Sequence, residues 1–107
     1  VTTARYSNSI ETVAVGATVG ASDPIIYGDF DKGTVYVPSG STIMTLTWHS
    51  SLSATGTYLP ARSEANVAIT TAVVAGQSYP IPVALSGSRF LKITGDAAGV
   101  VGVTLKD

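Results

Sequence analysis

The chain has no cysteine, and only one histidine, one tryptophan and one methionine among its 107 residues. Without cysteine there are no disulfides and no thiolate metal sites, so stability must come from packing or assembly, and the redox compartment stays open. A single histidine leaves too few ligands for a zinc centre. Charge is scarce too: Asp, Glu, Lys and Arg make up 12% of the chain, against roughly 25% in ordinary soluble domains. The net charge is −1, and no basic patch is large enough to neutralise many phosphates, so nucleic acid is not an expected partner. No apolar run approaches membrane-spanning length, and no membrane partner is expected. No signal peptide is visible at the start, and Val1 suits a product that has lost its initiator methionine in the cytoplasm.

Ser, Thr, Ala and Gly fill the space that charge leaves. A sheet face built from them is soluble but loses little on dehydration, so it can be buried against another protein at low desolvation cost. The length suits one domain with a modest core.

Periodicity points to strands throughout. Ile10 to Val15 is β-branched and stops at Gly16. Ile25-Ile26-Tyr27 reads as a short strand or an apolar anchor. Thr34 to Val37 ends at the turn Pro38-Ser39-Gly40. Thr42 to His49 alternates most clearly, with Met44, Leu46 and Trp48 on one face and Ile43, Thr45, Thr47 and His49 on the other. Thr57 to Leu59 is stopped by Pro60. Val67, Ile69, Thr71 and Val73 share a face of the next strand. Tyr79-Pro80-Ile81-Pro82 then forms a rigid extended connector, because each proline fixes its own φ and restrains its predecessor. Val83 and Leu85 follow as an apolar plug, with one helical turn over Pro82 to Ser86. Leu91 and Ile93, then Val101, Val103 and Leu105, point inward from the last two strands.

Seven or eight short strands at this spacing predict an all-β fold: a two-sheet antiparallel β-sandwich, jelly-roll-like, over residues 1–107, with residues 1–9 as an extended N-terminal arm. Leu46, Trp48, Leu91, Ile93, Val103 and Leu105 should share one core.

Chemistry-bearing motifs are few. His49 has Ser50 and Ser51 beside it, but neighbours in a strand point to opposite faces, so no triad follows and His49 reads as solvated or interfacial. Asp29-Phe30-Asp31-Lys32-Gly33 is like a truncated calcium loop, but it lacks the later acidic ligands and carries Lys32, so it reads as a plain turn. Asp96-Ala97-Ala98-Gly99 is a hairpin turn. No catalytic, metal or cofactor residue is assigned, and no enzyme is expected. Of the aromatics, Trp48 belongs to the core, while Tyr36 alternates outward from Val35 and Val37 as an exposed ring.

Six segments carry a family resemblance: Gly33-Thr34-Val35-Tyr36-Val37-Pro38-Ser39-Gly40, Leu46-Thr47-Trp48-His49, Gly56-Thr57-Tyr58-Leu59-Pro60, Val74-Ala75-Gly76-Gln77-Ser78-Tyr79-Pro80-Ile81-Pro82, and Phe90-Leu91-Lys92-Ile93 with a closing Val103-Thr104-Leu105-Lys106. The chain from about Gly33 to Asp107 resembles small structural proteins of tailed bacteriophages and is similar to capsid decoration, or cement, proteins. The resemblance implies a non-enzymatic virion protein made in the host cytoplasm and bound to the outer head surface. It also implies the major capsid protein as partner, and homotrimers at symmetry axes. Large apolar groups outside regular strands are candidate contacts, which selects Tyr6, Ile25, Tyr27 and Phe30, with Tyr36 as the exposed ring. The alternative is a tail or fibre module that binds glycans or a host receptor through exposed rings.

Overall fold

The computed structural model describes residues 8–27, 32–85 and 88–106. They form β1 (Asn8–Val15), β2 (Ile25–Ile26), β3 (Lys32–Tyr36), β4 (Thr45–Ser51), β5 (Leu59–Pro60), β6 (Thr70–Ala72), β7 (Ser78–Pro80), β8 (Phe90–Gly95) and β9 (Gly99–Lys106), with 3-10 turns at Val19–Ala21 and Val83–Leu85. One sheet has the order β1-β9-β3-β7. The other has the order β2-β8-β4-β5, and β6 also pairs with β4. All the strand pairings are antiparallel. The two sheets pack face to face as a β-sandwich.

The core lies where the inward positions of the two sheets meet. Val13, Val15, Val35, Val101, Val103 and Leu105 come from one sheet, and Ile25, Leu46, Trp48, Leu91 and Ile93 from the other. All six residues expected to share a core do so. The Trp48 indole N–H donates to Thr71 Oγ1 at 3.1 Å, which satisfies the one polar atom of a fully buried ring.

Several expectations need correction. Met44 does not share a face with Leu46 and Trp48; it is 67% exposed. The backbone N–H groups of Met44 and Thr45 both donate to Asp96 Oδ1, at 2.8 and 3.2 Å. Two consecutive residues therefore lie outside, and the alternation restarts at Leu46. The Tyr79-Pro80 stretch is more than a connector, because Ser78–Pro80 pairs with β3. It is an edge strand, where a residue without an N–H can sit. Only Leu85 of the apolar plug is buried; Val83 is exposed. Val67 is exposed as well, while Val73 is buried and Ile69 packs partly against the core. Asn8 and Ser9, assigned to an arm, belong to β1, and the remainder of that arm lies outside the described residues.

Leu91→Ala removes a fully buried side chain from between the sheets. The expected cost is about 2 to 5 kcal/mol, read as a lower denaturant midpoint with an unchanged m-value.

Candidate functional site

The outer face of the β1-β9-β3-β7 sheet follows from register, because directly opposed residues share a face. One row runs Thr12, Gly102, Tyr36, Ser78. The next rows hold Thr34, Thr104 and Pro80 on one side, and Ala14 and Val100 on the other. These side chains are neutral and mostly small. Charge enters at the end of the face, where the exposed Lys32 and Lys106 stand opposite each other. Tyr36 is 47% exposed between Val35 and Val37, which are buried. Gly102 beside it presents no side chain, so the flank of the ring stays open.

The outer face of the other sheet is different in kind. His49 and Trp48 are adjacent in β4 and both are buried, His49 at 9% exposure. Trp48 faces the core. His49 faces outward, where its Nε2 hydrogen-bonds with Thr94 Oγ1 at 3.0 Å. Its Nδ1 is buried with no hydrogen-bond partner. Lys92 stands opposite His49 in β8. The Lys92 ammonium lies 4.7 Å from the centre of the Tyr58 ring and donates to the Val19 carbonyl at 3.2 Å. That lysine ties the Val19–Ala21 turn to the sheet. The Tyr58 hydroxyl donates to the Ala54 carbonyl at 2.9 Å, and burial pushes its pKa up. Burial pushes the His49 pKa down.

A groove of about 600 Å³ opens near Ser50–Ser53, Leu59 and Arg89. Leu52 stands 93% exposed there. No aromatic ring lines the groove among the described residues.

The expected contact residues separate. Tyr6 and Phe30 lie outside the described residues. Ile25 and Tyr27 are buried, at 0% and 2% exposure, so neither is a surface contact. The reason is register: Ile25 opposes Leu91, which faces the core. Tyr27 N–H continues the pairing by donating to the Arg89 carbonyl at 2.9 Å. Ile26, between them, is the exposed residue. Tyr36 keeps its place as an exposed ring. His49 was expected to be solvated or interfacial and is a buried, hydrogen-bonded side chain of this domain. Its lone position in the sequence gave no sign of Thr94. Asp29 and Asp31 of the calcium-like turn lie outside the described residues, and no three His, Asp or Glu side chains cluster among those described.

The His49 environment sets an acid response. In the unfolded chain His49 takes up its proton near 6.5, and in the folded chain at lower pH. Between those two values the unfolded state binds more protons, so stability falls as pH falls. A second loss comes at lower pH, because the Met44 and Thr45 amides hold the Asp96 carboxyl below 3.8. That contribution is present above 3.8 and fades as pH drops through the folded-state value. Urea unfolding across this range should show the first decline beginning just below pH 6.5, and His49→Gln should remove that step and leave the lower one. In comparisons with known proteins, the chain matches no family model, no curated protein and no solved structure.

Proposed function

We propose that this chain is a non-enzymatic structural protein of a phage virion, a decoration protein that binds the outer head surface and clamps neighbouring major capsid subunits. The observation that carries the reading is the neutral outer face of the β1-β9-β3-β7 sheet, with Tyr36 exposed within it. A rigid aromatic ring among uncharged neighbours, with Lys32 and Lys106 kept to the end of the face, is the composition of a protein contact: an anchor surrounded by groups that shed water cheaply.

The strand order supports the finer fold assignment. If β5 and β6 count as one interrupted strand beside β4, eight strands remain. Their chain order passes from sheet to sheet at β1-β2-β3-β4 and again at β7-β8-β9. This order supports a jelly-roll winding, an architecture used in viral capsids and also in lectins. Since one fold serves many functions, the surface and not the winding decides the role. The scarcity of charge supports a partner in a repeated lattice, where many weak identical contacts add up to firm attachment.

Heads stripped of the protein and then titrated with it give the test. Tyr36→Ala should bind roughly 30-fold more weakly, the effect of truncating a hot spot worth about 2 kcal/mol. Leu52→Ala, at the groove, should bind like the parent. Equal head occupancy by Tyr36→Ala and the parent protein would overturn the assignment of this face.

A further inference from the structure

The two edges of the β1-β9-β3-β7 sheet are finished differently. At β7, the Ile81 N–H donates to the Gly33 carbonyl and the Val37 N–H to the Gln77 carbonyl, both at 2.9 Å. The backbone groups of Ser78 and Pro80 therefore face away from β3. Pro80 has no N–H, so this edge offers a single outward donor and cannot extend the ladder well.

At β1 the outward groups are read from Ala14. Its N–H donates to Asp23 Oδ2 at 3.0 Å, and its carbonyl accepts from the Asp23 N–H at 3.0 Å. Both groups thus point away from β9. By the period of two, so do those of Thr12, Ile10 and Asn8. Asp23 closes the edge at Ala14. Beyond it, Gly16 N–H donates to Ser22 Oγ and the Gly16 carbonyl accepts from Gly95 N–H, each at 3.0 Å. No such cover reaches Thr12, Ile10 or Asn8 among the described residues. The sheet is sealed on one side and half sealed on the other, and the open half is a regular strand with no proline.

We infer that the open half of β1 pairs antiparallel with the same segment of a second copy of this chain, joining the two sheets into one across a twofold axis at Ile10. The register follows from the free groups. Asn8 opposes Thr12 of the other copy, Ile10 opposes Ile10, and Thr12 opposes Asn8, each pair exchanging two N–H···O=C bonds. Among the described residues, any other register leaves outward groups unpaired. The next register toward the C-terminus would also need Ala14, which Asp23 occupies. A net charge of −1 puts little long-range repulsion in the way.

The axis stands perpendicular to the sheet, so it keeps both copies of the neutral Tyr36 face on the same side. The pairing depends on the β1 edge alone and is independent of any capsid role. It produces a dimer, whereas the resemblance to decoration proteins implies a trimer, and one mass measurement separates them.

Light scattering over a concentration series should give twice the 10.9 kDa chain mass at high concentration. Thr12→Pro removes an N–H from the open edge without touching the ladder to β9, and should give a folded monomer. Thr12→Val keeps the N–H and should stay dimeric. If Thr12→Pro fails to fold, hydrogen exchange on the parent protein takes its place: the Asn8, Ile10 and Thr12 amides should exchange more slowly as concentration rises. A monomer at every concentration, a trimeric mass, a folded Thr12→Pro dimer, or exchange at these amides that ignores concentration would each overturn the pairing.

Discussion

The dry layer between the two sheets carries almost the whole burden of holding this chain together. No disulfide can contribute, and charge is too sparse to do so. Trp48, Leu46, Leu91 and Ile93 from one side meet Val35, Val101, Val103 and Leu105 from the other, all essentially inaccessible to water. Each such side chain contributes about 1.5 to 3 kcal/mol on burial, and together they offset the entropy of ordering the backbone. Once the inner faces are committed, register decides every outward position. Tyr36 is exposed because Val35 and Val37 are not, and His49 faces away from the core because Trp48 fills it.

The two outer faces then take different roles. The five-stranded sheet carries the polar network of His49, Thr94, Lys92 and Tyr58, which turns inward on the domain's own turns and loops. Among the described residues, no side chain on the outer face of the four-stranded sheet hydrogen-bonds to the domain's own loops. Its Thr, Ala, Gly and Ser rows make a plain surface around one ring. A twofold at the β1 edge would double that surface and put the two Tyr36 rings on one face, five strand spacings or about 24 Å apart, so each dimer could engage a repeated lattice at two points.

What was legible in the sequence is what depends on period alone. β8 and β9 alternate without interruption, and their inward residues were read correctly. Tyr36 was found by the same rule. The reading failed where a distant side chain intervenes. Asp96 captures two successive amides at the start of β4, more than fifty positions back along the chain, and shifts the phase so that Met44 is exposed. Periodicity carries no trace of such a contact. The prolines near Tyr79 argued against a strand, yet an edge strand needs ladder bonds on one side only. Ile25 and Tyr27 looked like loop residues in want of a partner. Their partner is the core of their own domain, reached through a strand of two residues.

Cryo-electron microscopy of heads decorated with the purified protein tests most directly whether the neutral sheet is the working surface. The expected result is density on the outer shell with the β1-β9-β3-β7 sheet against the capsid and Tyr36 at the contact. Density seated through the five-stranded sheet, or heads that remain bare at saturating protein, would contradict it.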